Sequence, residues 1–238
     1  MGFLEGVWAY LGSRAFLDGA VNTMKLTLVS QIVAVLLGFI IALAKMSKWK
    51  LLRGLAASYI WIFRGIPVLV QLIFVYTALP QFGIRLTGFQ SAFVALALNE
   101  AAYMAEIVRS GLASVGKGQH RAANALGMNS WQRMRYVVLP QAFRVIVPPT
   151  ANQFIGMLKT SAMASVVGYT DLLLTAQQTA SANFDYVDTL IAAVIYYLAF
   201  TALFTLVQSY LERRMDITRS RTRKPLLSSL VNRGKSIL

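Results

Sequence analysis

Two runs of this chain, Leu26 to Leu43 and Leu190 to Leu211, contain no charged residue at all. Crossing ~30 Å of hydrocarbon takes ~20 mostly apolar residues at a helical rise of ~1.5 Å each. Inside lipid every backbone N–H and C=O must find its partner within the protein, and a helix does this within one segment. These runs therefore predict an all-α integral membrane protein. Three further segments are nearly as apolar: Leu55 to Leu79 carries Arg64, Phe89 to Val108 carries Glu100 and Glu106, and Val145 to Val167 carries Lys159. The expectation is five transmembrane helices, drawn at about residues 20–44, 55–79, 89–112, 140–168 and 189–211. A segment at 1–19 lies outside or at the interface, and a basic tail occupies 212–238.

Composition narrows the function. A chain that is 57% hydrophobic and 13% charged cannot present a soluble surface. The net charge of +14 raises the possibility of nucleic acid, so the placement of the bases matters more than their number. Lys45 to Arg53 holds 4 bases, Arg109 to Arg144 holds 6 and the stretch from Arg213 onward holds 8, so that 18 of the 23 Lys and Arg fall on one side of five alternating spans. The opposite loops hold Arg85 and, between Thr170 and Thr189, three aspartates with no base. That asymmetry puts the N-terminus outside and the C-terminus in the cytoplasm, and it excludes nucleic acid as a partner. There is no cysteine and a single histidine, His120, which argues against disulfides, thiolate metal sites and a metalloenzyme. Glu5, Arg14 and Asp18 interrupt what would otherwise be a cleavable leader.

Between the third and fourth spans the chain turns polar, in a loop at 116–139. Gly116 and Gly118 break the helix, Gln119 to Leu126 favours a short helix, and Gly127 sits where a helix end takes a left-handed residue. Asn129 or Ser130 can cap a second helix, and Pro140 suits the first turn of the next span. Ala122, Ala123 and Leu126 form a small apolar face. Such a face either fits a groove in another protein or lies on the bilayer, supported by the six bases between Arg109 and Arg144.

The loop carries a recognisable pattern. "AANALG", nine further residues and "VVLP" resemble the signature loop of ABC importer permeases, and "IFRGIPVLVQL", "AAYMAEIVRSGL" and "LPQAFRVIVPP" resemble the polar amino-acid subfamily over roughly residues 20–210. Arg121 stands where that family has glutamate, which reverses the charge at this point. The resemblance implies a type I ABC importer permease-like fold with a cytoplasmic coupling helix. Gly118, Gln119, Arg121, Ala122, Ala123, Leu126 and Gly127 would then couple to the ATPase. It also implies a second permease subunit, forming a homo- or heterodimer, two ABC ATPase subunits and an extracytoplasmic amino-acid-binding protein in the bacterial inner membrane. This chain would bind no cofactor, ATP and Mg belonging to the ATPase; "GKS" at Gly234 to Ser236 lacks the glycine that a phosphate loop needs five residues earlier. The function so implied is import of a polar amino acid or a related compound such as an opine. An ion-gradient-driven secondary transporter or channel is the alternative, and it would show inverted repeats or a filter segment.

Charged and polar residues within the spans mark a path, because a charge at mid-bilayer costs ~2.5 to 3.5 kcal/mol on insertion scales. Arg64, Gln71, Asn99, Glu100, Asn152, Lys159 and Ser161 are the substrate-pathway candidates. Arg64, close to Pro67, serves either the path or a clamp on a broken helix. Glu100 either binds a cationic group or is neutralised by Lys159, which lies on one face with Asn152 and Gly156. Glu106 pairs with Arg109. Pro148 and Pro149 are expected to break the fourth span early.

Overall fold

A computed structural model describes residues 3–215. The basic tail from residue 216, including Gly234 to Ser236, lies outside the described residues, as do Met1 and Gly2. The elements among the described residues are all helices, joined by short turns: α1 (Phe3–Leu11), α2 (Arg14–Lys45), α3 (Lys50–Gly65), α4 (Val68–Ile73), α5 (Gly88–Ala113), α6 (Lys117–Ala125), α7 (Ser130–Gln132), α8 (Leu139–Thr160), α9 (Leu172–Asn183) and α10 (Tyr186–Met215). Among them, α2, α5 and α10 are each long and apolar enough to cross a membrane. A fourth candidate is the bent pair Lys50–Gly65 and Val68–Phe82. Helix α8 does not reach that apolarity, because Arg144, Asn152, Gln153 and Lys159 interrupt it.

Helix α5 is the hub. Its alanines Ala92, Ala95, Ala97, Ala101, Ala102 and Ala105 are all buried, and small side chains let neighbouring backbones come close where lipid offers no hydrophobic drive for helix association. One core cluster joins Leu26, Leu72, Leu96 and Met157 towards the start of α5. A second joins Ala42, Ile60, Val108, Leu112 and Ala142 towards its end. Helix α10, in contrast, leaves Val194, Leu198, Leu203 and Leu206 exposed, an apolar surface that belongs against lipid or another membrane subunit.

Three expectations need correction. The second crossing is not one straight helix over 55–79: α3 ends at Gly65 and the chain turns through 101° before α4. Pro67 has no N–H, and a residue preceding proline is pushed out of the helical region; Ile66 accordingly has ψ of 130°. Pro148 and Pro149 do not break the helix there, since α8 runs through both. The carbonyls they leave without an N–H donor belong to Arg144 and Val145, in the first two turns of α8. Pro140 does fall in the first turn of α8 as expected, although the helical run reaches back to Ser130 through a wide turn at Arg133–Val138, where the Leu139 N–H bonds to Met134 O.

The stretch from Thr170 to Thr189 is not simply a polar loop, because it folds as α9 against α2 and α10. Asp171 caps it, its Oδ1 accepting the Leu174 N–H at 2.9 Å. Burial pushes the Asp171 carboxyl up to about 6, against the pull of the N–H groups at the helix start. A carboxyl raised above its ordinary 3.8 binds more protons folded than unfolded, so its stabilising effect is present at low pH and lost as pH rises through about 6. The unfolding temperature of the detergent-solubilised protein should therefore fall between about pH 4 and pH 7 by more in the native chain than in Asp171→Asn. Parallel pH profiles for the two would show that this carboxyl is not the cause.

Candidate functional site

The bend between α3 and α4 creates the main polar cavity. Pro67 and the turn free the carbonyls of Phe63 and Ile66. The Gln71 side-chain amide donates to both at 2.9 Å, and Asn99 on α5 donates to Phe63 O at 2.8 Å. Gln71 and Asn99 therefore staple the bend, which holds open a cavity of ≈ 460 Å³ between the turn, α5 and α8. An unmet carbonyl at membrane depth is costly, and two side-chain amides relieve it here.

Glu100 lies on the cavity wall and is 7% exposed. Its Oε1 accepts from Gln153 Nε2 at 2.9 Å. The expected pairing with Lys159 is not formed: among the described residues no Lys or Arg makes an ion pair with Glu100. The reason is helical phase. Gln153, Gly156 and Thr160 share the face of α8 that lines the cavity, whereas Asn152 and Lys159 fall about one residue away and are exposed on this chain's surface. Ser161 is also away from the cavity; it is fully buried, donating to Leu158 O at 2.8 Å and lying 3.3 Å from Thr27 Oγ1.

Arg64 does line the cavity, its guanidinium 5.0 Å from the centre of the Tyr103 ring. A cation over an aromatic face keeps its charge available on the open side. Tyr103, Gln153 and Thr160 line the wall as well. The spacing of Tyr103, four residues after Asn99, puts it on the same face of α5, while Gln153 had no signal beyond being polar in an apolar segment. Towards the C-terminal end of α5, Glu106 takes Arg109 at 2.8 Å as expected and also takes Lys45 from α2, a partner the sequence did not reveal.

The module between α5 and α8 is built as its residues dictate. Helix α6 stops where Gly127 adopts φ of 72°; the Met128 N–H returns to Ala123 O at 3.1 Å and the Gly127 N–H to Asn124 O at 3.0 Å. Asn129 and Gln132 cap α7 reciprocally. Arg133 reaches Asn124 and ties the two helices together. The apolar face differs from the expected one. Ala123 is 2% exposed and turned inward, while Ala122 faces out and Leu126 is 76% exposed. Gly118, Gln119 and Arg121 are exposed beside them, and Arg121 makes no ion pair among the described residues.

Residues 34–217 match the family model described as the binding-protein-dependent transport system inner membrane component. The chain is 40% identical over 229 residues to the arginine transport system permease protein ArgU of Corynebacterium glutamicum, covering 90% of this chain and 72% of that protein. It is 39% identical over 199 residues to the L-cystine transport system permease protein TcyB of Bacillus subtilis, covering 83% and 85%. Among solved structures it resembles the crystal structure of an amino acid ABC transporter with histidines, with a TM-score of 0.83 and 41% identity over 90% of this chain and 99% of that one. An all-helical fold shared with that transporter, and a family match spanning α5, the module and α8, place the chain in the family of binding-protein-dependent inner membrane components, as a permease subunit of an amino-acid ABC importer.

Proposed function

We propose that this permease crosses the membrane five times, with α8 as the fourth crossing, its N-terminus outside and its C-terminus in the cytoplasm. The asymmetry of Lys and Arg supports this orientation. It works beside a second permease, with two ATPase subunits that hold ATP and Mg and with an external amino-acid-binding protein. Helix α6 and the residues around it, Gly118, Gln119, Arg121, Ala122, Leu126 and Gly127, seat in an ATPase subunit, with Ala123 packing the module from within. Closure of the ATPases then shifts the spans between inward-open and outward-open packings.

The cavity beside Glu100 is this subunit's share of the substrate path, and the substrate class it favours is a cationic amino acid. The observation that carries this reading is a buried carboxylate facing a cavity with a glutamine for company and, among the described residues, no base paired to it. A buried carboxylate of this kind is most stable when a visiting cation pairs with it. The substrate named for the arginine permease relative has that chemistry.

Reconstituted with its ATPase and binding protein, Glu100→Gln should lower arginine uptake at least about tenfold, since truncating one partner of a buried charge pair costs ~2 kcal/mol or more. Uptake of glutamine delivered in the same assay should change much less. Equal loss for both substrates would assign Glu100 a structural role instead.

A further inference from the structure

The Glu100 cavity adjoins two others. It shares Arg64, Gly65 and Tyr103 with a second cavity of ≈ 550 Å³, also lined by Lys45, Trp61 and Glu106. That cavity in turn shares Lys45 and Ala57 with an open cleft of ≈ 640 Å³ whose walls carry Lys50, Arg53 and Arg109. Common lining residues set the three side by side, in a file from the buried carboxylate to the basic end of α2 and α3.

The file is lined by cations. Arg64, Lys45, Lys50, Arg53 and Arg109 succeed one another along it, and the sole carboxylate lining either of the two outer cavities is Glu106, which already holds Lys45 and Arg109. Among the described residues, Lys50, Arg53 and Arg64 have no ion-pair partner. Like charges gathered in a cleft repel one another and focus a positive potential, which a carboxylate placed directly among them relieves locally, even on a substrate that carries cations elsewhere.

Helical phase says what kind of anion. At about 100° per residue, Lys50, Arg53, Ala57 and Arg64 fall on one stripe of α3. Leu51, Leu55 and Ile62 fall on the opposite side, and are 77%, 61% and 42% exposed. That leucine and isoleucine stripe is the one suited to lipid, so the bases point away from it and into the file. Lysines and arginines serving a lipid surface would instead snorkel from the lipid-facing side.

We propose that this file is the release track for the substrate's α-carboxylate, and that Lys50 and Arg53 form its outermost anion subsite. This rests on the amino-acid importer reading above. A cationic amino acid presents a cation to Glu100 and a carboxylate to Arg64. On the inward-open side the carboxylate then passes to Lys45 and on to Lys50 and Arg53. Several weak sites in series let an ion leave as readily as it enters, which one strong site would prevent.

The assembled transporter tests this in two ways. In proteoliposomes with binding protein and ATP, Lys50→Gln with Arg53→Gln should lower the maximal rate of arginine uptake about fivefold, as expected for losing two weak, exposed charge contacts. The arginine concentration giving half-maximal uptake should stay nearly constant. The deficit should be the same in phosphatidylcholine vesicles and in vesicles containing phosphatidylglycerol. A deficit confined to the phosphatidylglycerol vesicles would assign the bases to lipid headgroups and overturn the proposal, as would uptake equal to that of the unaltered protein.

The absence of cysteine makes the second test clean. Ala57→Cys, with every base retained, should be labelled by a soluble maleimide from the face on which the C-terminus emerges. L-Arginine should slow this labelling several-fold, whereas agmatine, which lacks the carboxylate, should not. Equal protection by both compounds, or by neither, would refute a carboxylate subsite even if the double variant failed to assemble. Failure of the unaltered transporter to take up any amino acid would count against the importer reading, a different result from either of these.

Discussion

Leu126→Glu is expected to abolish coupled uptake while leaving the permease folded and inserted. Leu126 ends α6 with 76% of its surface exposed, on a module whose other parts are held by caps, the Gly127 turn and the Arg133 to Asn124 contact. A large apolar side chain held out in this way contributes little to its own fold, and in the docking proposed above it fills a groove on the ATPase. A carboxylate there would enter that groove desolvated and unpaired, costing several kcal/mol and lowering uptake well over tenfold. Helix content and recovery from membranes should match those of the native chain. ATPase activity, if the subunits still associate, should no longer respond to binding protein. Normal uptake by this variant would show that α6 is not the docking element. Ala123→Trp is a different experiment, because Ala123 is 2% exposed and the larger ring would break the module itself. Gly127→Pro would do so too, since proline cannot adopt φ of 72°.

The second large effect lies at the crossing of α2 and α5. A Cβ on Gly38 would sit 2.5 Å from Met104 Cβ and 3.0 Å from Ala101 O. Neither obstacle is a flexible side-chain end, so the helices themselves would have to separate. Gly38→Val should thus fall at or above the upper end of the ~1–3 kcal/mol typical of overpacking, because this interface organises the whole bundle. The expected result is a large loss of assembled transporter on extraction and a lowered unfolding temperature in detergent, with Gly38→Ala intermediate. An unfolding temperature unchanged by valine would mean that α2 and α5 do not pack this closely.

Much of this protein is determined locally and was legible from residue order. The uncharged runs, the proline at 67, the Gly127 stop and the Asn129 cap each act within a few residues of where they stand, so α2, α10, the module and the family resemblance could be read directly. Helix α9 was legible in principle, given Asp171 before an apolar turn, but its polar second half concealed it. Glu100 was rightly marked as buried and unusual, because a carboxylate in an apolar span signals itself by its cost.

Which residues meet was decided only by packing. Gln71 and Asn99 turned out to staple a bend, because the carbonyls they satisfy are freed by a proline elsewhere in sequence. Lys159 and Asn152 miss the cavity by about one residue of helical phase, and Gln153 takes their place; a rotation of that size changes no sequence pattern but moves a side chain from one surface to another. Lys45 and Glu106 lie 61 positions apart and meet only because α2 and α5 cross closely at Gly38. Sequence determined that the chain is a set of membrane helices with a polar module between them. Tertiary structure alone decided which carboxylate would stay without a base, because that depends on the rotation of one helix against another, and hydrophobic periodicity leaves that angle open.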